Sequence, residues 1–591
     1  MTKQNNKLRS RLWFNNPDDP GMTALYLERY LNYGLTLEEL QSDRPIIGIA
    51  QTGSDLTPCN RIHIDLVERV KAGIRDAGGI PLEFPVHPIQ ETGRRPTAAL
   101  DRNLQTLSLI EVLHGYPIDG VVLTTGCDKT TPALIMGAAS VNLPAIALSG
   151  GPMLNGDYKG QCVGSGTVIW QARKELSQQK INYQQFMEKV ACSAPSAGHC
   201  NTMGTALTMN CLAEALGMML PGCASIPAPL RERGQMAYYT GKRAVAMVHE
   251  ELTPDKIITR KALENAIVMC SAIGGSTNAP VHINAIAAHM GIALDISDWQ
   301  SVGQSIPQLV NCQPTGEYLS EEFHRAGGVP AVVNQLLAGE MLHSDVLTVT
   351  GKSLADNCKG KEVINDNVIM SVDKPLKPAA GLLVLSGNLF DSAVMKISAI
   401  DEAFAKRYLS NPQSPNRFVA RAIVFDGPEQ YHQQIDNPAL NIDENCILVM
   451  RGAGPKGYPG SAEVVNMQPP AALLNQGISS LPTLGDGRQS GTSGSPSILN
   501  ASPEAAAGGN LSLLENGDLI EVDLNTAKVN VLLSDEQLAN RKEQCKYKSV
   551  ESQTWWQQIY RAEVSQLADG AVFERMTAFK DIASKVPRDS H

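Results

Sequence analysis

Short apolar runs alternate with segments of helical periodicity along the first 150 residues, and no other feature restricts the fold as strongly. Residues 45–51 (PIIGIAQ) form an apolar run, and residues 63–77 then repeat apolar side chains at helical spacing before a pair of glycines. Similar apolar runs are found at 80–86, 119–125 and 144–149. Strands that alternate with helices pair into a parallel sheet with right-handed crossovers. The sequence therefore predicts an α/β domain at the N-terminus.

The second half of the chain changes character, because its predicted strands follow one another with little helix between them. These strands are predicted at 345–350, 363–372, 381–385, 418–425 and 446–450, with a late hairpin at 518–522 and 528–533. The pattern predicts a β-rich, barrel-like domain. A linker at 373–380 (DKPLKPAA) divides the chain into an α/β domain, 1–375, and the barrel-like domain, 376–591. A helical tail over 534–591 has an apolar patch that we expect to dock on the first domain or on a neighbouring subunit.

The charge balance excludes some classes of partner. The chain has 50 Lys and Arg residues against 60 Asp and Glu residues, a formal net charge of −10, and only 5% aromatic residues. Nucleic-acid binding depends on Lys and Arg that neutralise phosphates and on aromatic rings that stack on bases. We therefore expect no nucleic-acid partner. Apolar stretches too short for a membrane span, and a basic N-terminus without a following apolar core, predict a cytoplasmic protein with no membrane partner.

Polar loops after three of the predicted strands contain residue types that bind metals. The residues are Cys59 after the first strand, Glu91 after the second, and Cys127, Asp128 and Lys129 after the third. Parallel strands present their carboxyl ends at one edge of a sheet, which would bring these loops together. Thiols beside carboxylates and a lysine suit a metal site. An accident of loop composition remains the alternative, because the twelve cysteines form no CxxC pair or other local metal motif.

Three further loops contain candidate residues. Cys200 lies in the small-residue loop SAPSAGHCN at the predicted start of a helix, whose dipole would favour a thiolate. The string RGAGPKGYPG contains a formal GxGxxG, but its prolines and the lack of a βαβ unit argue against dinucleotide binding. That string leads instead to Glu463. Ser490 is flanked by glycines in TLGDGRQSGTSGS, which lets the backbone approach a ligand closely.

Taken together, these loops resemble the dihydroxy-acid and sugar-acid dehydratase family, which also includes phosphogluconate dehydratase. The matching strings, in family order, are DLTPCN, TGCDKTT, SAGHCNTMGT, GGSTNA, GPKGYPGSAE, DGRQSGT and SPEAAAGG. The stretches GIAQTGSD, FPVHPI, RRPTAALDRNL and SLPTLGDGRQSGT are similar to the bacterial pentonate branch of that family. The resemblance implies elimination of water from a small-molecule sugar acid, with D-xylonate as the expected substrate.

The resemblance also implies cofactors and their ligands. Cys59, Cys127 and Cys200 would hold an iron–sulfur cluster, and three thiolates would leave one iron position open. The pentonate branch favours [2Fe–2S], with [4Fe–4S] as the alternative. Mg²⁺ would be bound by Glu91, Asp128, Lys129 and Glu463. Because Mg²⁺ prefers oxygen ligands, the family answer is a carbamylated lysine, which presents a carboxylate in place of an ammonium.

The remaining implied roles concern catalysis and assembly. Ser490 would be the base, with Lys129 as a second catalytic candidate, and Thr492 would hydrogen-bond the polyol substrate. The family implies a homodimer or a homotetramer built as a dimer of dimers. The sequence departs from the family at Ala453, where many relatives have glutamate, and at Asn500, where relatives often have histidine.

Two other functions stay open on the sequence alone. One is a branched-chain dihydroxy-acid dehydratase of valine and isoleucine synthesis, although the hydroxyl of Thr492 favours a sugar acid. The other is an iron–sulfur electron-transfer or sensor protein. That function predicts a fully ligated cluster without turnover, which three candidate cysteines and a set of acidic residues argue against.

Overall fold

The computed structural model describes residues 8–545 and 547–590. The strands are β1 (Ile46–Gln51), β2 (Ile80–Pro85), β3 (Gly120–Thr125), β4 (Ala145–Ser149), β5 (Gly156–Tyr158), β6 (Gln161–Val163), β7 (Leu382–Leu385), β8 (Ser392–Lys396), β9 (Arg417–Asp426), β10 (Cys446–Arg451), β11 (Thr483–Gly485), β12 (Ile498–Ser502), β13 (Leu519–Asp523) and β14 (Lys528–Val531).

The α-helices are α1 (Arg11–Phe14), α2 (Pro20–Asn32), α3 (Leu37–Gln41), α4 (His63–Asp76), α5 (Ala99–Gly115), α6 (Thr130–Val141), α7 (Thr167–Ser177), α8 (Tyr183–Ala191), α9 (Thr205–Ala215), α10 (Arg231–His249), α11 (Pro254–Ile257), α12 (Arg260–Ala272), α13 (Ala279–Met290), α14 (Ile296–Gly303), α15 (Ser320–Arg325), α16 (Gly328–Ala338), α17 (Leu354–Cys358), α18 (Glu402–Phe404), α19 (Gly427–Gln434), α20 (Ala471–Asn475), α21 (Asp535–Glu543), α22 (Trp555–Glu563) and α23 (Glu574–Thr577).

The N-terminal domain contains the predicted parallel sheet. Its strands lie in the order β2-β1-β3-β4, and each neighbouring pair is parallel. β1 and β3 are buried along their whole length, because helices cover both faces of a parallel sheet. The α/β prediction is confirmed, and the carboxyl ends of β1, β2 and β3 point to the same edge of the sheet.

A large helical region from α9 to α17 follows this sheet, and it corrects two strand predictions. The runs 345–350 and 363–372 do not join either main sheet. They make isolated bridges, Leu347 with Ser353 and Ile369 with Val310. Apart from the exposed Ile364, most of their apolar side chains are buried in or packed against the N-terminal core, so the apolar pattern reflects burial without strand pairing. None of the helices in the described part of the chain combines the length and apolar character needed to cross a membrane.

The C-terminal domain is a mixed sheet that curls into a near-barrel. Across the described residues its strand order is β14-β13-β9-β10-β11-β12-β8-β7, with β9 to β12 parallel and the outer pairs antiparallel. Ser386, directly after β7, closes the ring by bridging to Lys528 of β14. The Ser386 N–H donates to the Ala527 carbonyl (3.0 Å), and the Val529 N–H donates to the Ser386 carbonyl (2.9 Å). The barrel-like prediction is confirmed, while the division at residue 375 stays a prediction.

Strand β10 shows why the strands of the C-terminal domain have continuous apolar sequences. Ile447 and Val449 point into the barrel core, whereas Leu448 and Met450 lie in a second core outside it. A parallel strand that is buried on both faces needs apolar side chains at every position. β10 is therefore fixed from both sides, and the loop that follows it begins from a rigid base.

The helical tail docks on the N-terminal domain, which is the first of the two predicted alternatives. Tyr560 is buried in the N-terminal core and packs edge-on against Phe573, with ring centroids 5.7 Å apart. The buried guanidinium of Arg102 donates to the carbonyl oxygens of Gly570 (2.6 Å) and Ala571 (2.7 Å). The chain thus returns from the barrel to the first domain and joins the two.

Removal of the buried tail aromatic should destabilise the protein. Tyr560 is 1% exposed, whereas Trp555, at the start of the same helix, is 77% exposed. We expect Tyr560→Ala to lower the free energy of unfolding by about 3–5 kcal/mol, as for other buried aromatic truncations. The matched variant Trp555→Ala should stay within about 0.5 kcal/mol of the parent. Urea denaturation followed by circular dichroism measures both, and equal losses would contradict the docking role of Tyr560.

Candidate active site

Loops at the carboxyl ends of β1, β2 and β3 line one side of a cavity of about 680 Å³. Cys59 lies in the loop after β1, Glu91 in the loop after β2, and Cys127 two residues beyond β3. Backbone-to-side-chain bonds hold these loops together. The Cys127 N–H donates to Asn60 Oδ1 (2.8 Å), and the Cys59 N–H donates to Gln90 Oε1 (2.8 Å). The parallel sheet therefore brings the predicted loops to one place.

The barrel supplies the opposite wall, again from the carboxyl ends of parallel strands. Glu463 lies in the loop after β10 and Ser490 in the loop after β11, and both line the cavity. Gly491 lets this second loop approach α9 closely. A Cβ at that position would overlap the Thr205 backbone nitrogen, which a larger residue could not tolerate. The site thus forms between the two domains.

Two buried carboxylates, which the sequence analysis did not name, anchor the loop after β10. Asp486 accepts a hydrogen bond from the Gly452 N–H (3.0 Å). Glu504 accepts from the N–H groups of Lys456 (2.9 Å) and Gly457 (2.8 Å). Both acids lie inside strings that carried the family resemblance, DGRQSGT and SPEAAAGG. An acidic residue among small, apolar neighbours is the sequence signal that could have identified them as loop anchors. A carboxylate buried in such surroundings needs hydrogen bonds from backbone N–H groups.

Lys129 lies in a buried cluster of three carboxylates. Its Nζ is 2.9 Å from Glu91 Oε2, 3.7 Å from Asp128 Oδ2 and 4.0 Å from Glu463 Oε1. One oxygen from each carboxylate lies within 4.8 Å of the other two, a spacing at which one cation could contact all three. Lys129 is fully buried, yet its Nζ makes no hydrogen bond of suitable angle to any described residue.

Arg488 joins the two halves of this cluster, and the sequence analysis did not name it. Its buried guanidinium donates to Glu463 Oε1 (2.9 Å), to Glu91 Oε1 (3.2 Å) and to the Ser461 carbonyl (2.8 Å). Asn278, from the string GGSTNA, donates to the same Glu463 oxygen (2.6 Å). Both residues stand in family-like strings, but a single sequence does not show which member of a string faces the site.

The three carboxylates have different electrostatic environments. Burial would raise the pKa of Glu91, but the Lys129 and Arg488 cations outweigh it and lower that pKa to about 2. Burial and the charge on Glu91 raise the pKa of Glu463 to about 8. Burial likewise raises the pKa of Asp128, against the opposing effect of Lys129. Three acids crowd two cations here, so an additional positive charge would favour the ionised state of all three.

The three candidate thiols line the same cavity beside the carboxylates. A hydrogen bond with Cys127, together with burial and the nearby Cys200, raises the pKa of Cys59 well above its usual range. Burial and the charge of Asp128 raise the pKa of Cys200 to about 12. The predicted position of Cys200 at the start of a helix is wrong. Helix α9 begins at Thr205, and desolvation opposes a charge on Cys200.

Ser490 and Thr492 form a short hydrogen-bonded chain on the cavity wall. Their hydroxyl oxygens are 2.8 Å apart, and the indole N–H of Trp170 donates to Thr492 Oγ1 at 3.1 Å.

Of the two residues that depart from the family pattern, Ala453 is fully buried in the outer barrel core. Asn500 is buried with its Nδ2 3.5 Å from the Thr277 carbonyl. Neither residue lines the cavity.

Family models match most of the chain. The model described as Dihydroxy-acid/6-phosphogluconate dehydratase N-terminal matches residues 44–357. The corresponding C-terminal model matches residues 367–571. The match therefore spans both walls of the cavity and every candidate residue described above.

Full-length relatives agree with these models. A D-xylonate dehydratase of Caulobacter vibrioides is 61% identical over 585 residues, which covers 99% of this chain and 98% of the relative. An L-arabinonate dehydratase of Rhizobium leguminosarum bv. trifolii is 44% identical, with 90% of each chain covered. A dihydroxy-acid dehydratase of Caldanaerobacter subterraneus subsp. tengcongensis is 36% identical over 92% of this chain and 96% of its own. The chain belongs to the dihydroxy-acid/6-phosphogluconate dehydratase family.

Proposed function

We propose that this chain is a sugar-acid dehydratase that converts D-xylonate into 2-keto-3-deoxy-D-xylonate and water. The observation that carries the proposal is one cavity lined by three thiols, three clustered carboxylates and Ser490. The 61% identity to a D-xylonate dehydratase over nearly the whole chain supports the choice of substrate. A homodimer or dimer of dimers and a cytoplasmic location remain part of the proposal.

The carboxylate cluster fits a Mg²⁺ ion. Glu91, Asp128 and Glu463 offer closely spaced oxygens, and oxygen is the ligand that Mg²⁺ prefers. The buried Nζ of Lys129 lies among these three carboxylates, a position that fits the fourth implied ligand. Carbamylation would replace its positive charge with a carboxylate. Four carboxylates would then lie close together, and a metal ion would be needed to offset their mutual repulsion. When bound, Mg²⁺ would supply positive charge that acidifies a proton next to a bound carboxylate.

The thiol set fits an iron–sulfur cluster with an open position. Cys59, Cys127 and Cys200 are free thiols on one cavity wall, and thiolates are the usual protein ligands of such clusters. Metal binding deprotonates cysteine, which would overcome the raised pKa values of Cys59 and Cys200. We propose [2Fe–2S], with [4Fe–4S] as the alternative. When bound, the cluster would supply Lewis acidity toward a departing hydroxyl group.

The protein residues in the cavity have distinct roles in this proposal. Ser490 removes the proton from C2 of the substrate, which requires its deprotonated form because a neutral hydroxyl is a weak base. Lys129, once carbamylated, would help to hold Mg²⁺, and the ion would supply positive charge near the developing negative charge. Thr492 lines the cavity beside Ser490 and is the proposed contact for a substrate hydroxyl.

A substrate panel tests the proposed function. Polar groups that bind substrate hydroxyls discriminate strongly against analogues that lack them. We expect anaerobically purified protein to dehydrate D-xylonate with a kcat/KM at least ~10²-fold higher than for a branched 2,3-dihydroxy acid. L-Arabinonate and 6-phosphogluconate complete the panel. Preference for the branched acid would favour the alternative dihydroxy-acid function, and reversible redox chemistry without turnover would favour electron transfer or sensing.

Separate variants test the two metal sets. Cys59→Ser, Cys127→Ser and Cys200→Ser should each lose the visible cluster absorbance and the activity. Glu463→Gln should keep the absorbance and lose Mg²⁺-dependent turnover, because its carboxylate belongs to the other ligand set. Cys162→Ser, at an exposed thiol, is the control and should change neither. Full cluster content in Cys127→Ser, measured as iron and sulfide, would contradict the thiol assignment.

Ser490→Ala tests the base. The hydroxyl lies in a glycine-rich loop and adds little packing, so cluster content and Mg²⁺ binding should persist. Turnover should fall at least ~10²-fold, the lower range for loss of a general base. The rate of C2-proton exchange with deuterated solvent should fall with it. A Ser490→Ala enzyme that exchanges this proton at the parent rate would move the base role elsewhere, with Lys129 as the next candidate.

A further inference from the structure

Trp170 of α7 contacts the catalytic candidates through one hydrogen bond. Its Nε1 lies 3.1 Å from Thr492 Oγ1. An indole N–H is a donor only, so the threonine oxygen must be the acceptor in this contact. The hydroxyl proton of Thr492 is left to be donated to another group. Among the described residues, the acceptor in its reach is Ser490 Oγ, at 2.8 Å.

The Thr492 side chain is held in this orientation by two glycines. A Cβ on Gly166 would lie 2.5 Å from Thr492 Cγ2, and a Cβ on Gly204 would lie 3.1 Å from the same methyl group. The methyl therefore fills the space that these glycines leave open. Because χ1 of threonine positions the methyl and the hydroxyl together, the packed methyl also fixes the hydroxyl oxygen.

The backbone adds a second donor to the same serine. The Thr492 N–H lies 3.3 Å from Ser490 Oγ and donates to it. Ser490 Oγ thus has one donor in the threonine backbone, and it gains a second whenever the threonine hydroxyl donates across the 2.8 Å contact. Donors directed at an oxygen stabilise its deprotonated form relative to the protonated one.

We infer that Trp170 is a positioning residue that directs the Thr492 hydroxyl proton onto Ser490 Oγ. The inference rests on the proposed function, in which Ser490 is the base. Thr492 Oγ1 has two lone pairs, and the indole donor occupies one of them and polarises the threonine O–H. A polarised O–H is the better donor, so Trp170 favours the direction in which Thr492 donates to Ser490 Oγ and the serine oxygen can lose its own proton.

Trp170 also lines two cavities, and this determines which variant is informative. It lines the cavity of about 680 Å³ and a neighbouring one of about 310 Å³, as Thr492 does. A change to alanine would remove the indole ring from the lining of both cavities and alter substrate binding. Trp170→Phe keeps an aromatic wall and removes the N–H donor, so it isolates the hydrogen bond.

The test measures kcat and KM of Trp170→Phe with the sugar acid that the substrate panel identifies. One neutral hydrogen bond is worth about 0.5–1.5 kcal/mol, so we expect kcat to fall ~3–10-fold while KM changes less than ~2-fold. In a Thr492→Val background, which has no hydroxyl to orient, Trp170→Phe should cause no further loss. A purely structural effect would persist in that background.

Controls separate this inference from the proposed function. Gln171→Leu changes the next residue of α7, which lines the smaller cavity without a bond to Thr492, and should leave kcat and KM unchanged. A Trp170→Phe enzyme with parent kcat, a change confined to KM, or full additivity with Thr492→Val would each overturn the inference. If Ser490→Ala retained activity, the base assignment itself would fail. If Ser490→Ala were inactive while Trp170→Phe matched the parent, only the role of Trp170 would fail.

Discussion

The buried guanidinium of Arg488 is the interaction on which the geometry of the site depends. It comes from the loop after β11 and bonds Glu91 of the first domain and Glu463 of the second. A buried cation is costly to leave unpaired, and so are the two carboxylates that it contacts. Separation of the domains would break the bond between Arg488 and Glu91 and leave these charges without their partners. The same charges therefore hold the cavity walls together and give the site its electrostatic character.

Both domains line the cavity with loops at the carboxyl ends of parallel strands. In the first domain, parallel strands β1, β2 and β3 end at loops that contain Cys59, Glu91 and Cys127. In the second domain, parallel strands β10 and β11 end at loops that contain Glu463 and Ser490. Loops at strand ends tolerate chemically demanding residues, because the sheets below them supply the stability. The tail packs on the first domain through Tyr560, and Arg102 of that domain donates to a tail carbonyl oxygen. These contacts connect the two halves.

Much of this arrangement could be predicted from the sequence. The alternation of strands and helices indicated the parallel sheet, and a parallel sheet requires the loops after β1, β2 and β3 to meet at one edge. Three further loops supplied Cys200, Glu463 and Ser490 as candidates, and the resemblance implied a role for each. The structure brings all of them to one cavity. The predicted strands at 345–350 and 363–372 failed, because a buried apolar run has the same appearance whether it pairs with a strand or packs among helices.

The sequence by itself determined the chemistry available to this protein, and the tertiary structure decided which groups meet. Residue types and short-range spacing place a thiol or a carboxylate in a loop, since these are local properties of the chain. The roles of Arg488, Asn278 and Trp170 depend on contacts across 185 to 397 residues, such as Asn278 with Glu463 and Arg488 with Glu91. The direction of a hydrogen bond and the pKa of a buried acid depend on such neighbours. Only packing of the two domains brings those neighbours within reach and excludes the water that would otherwise weaken their interactions.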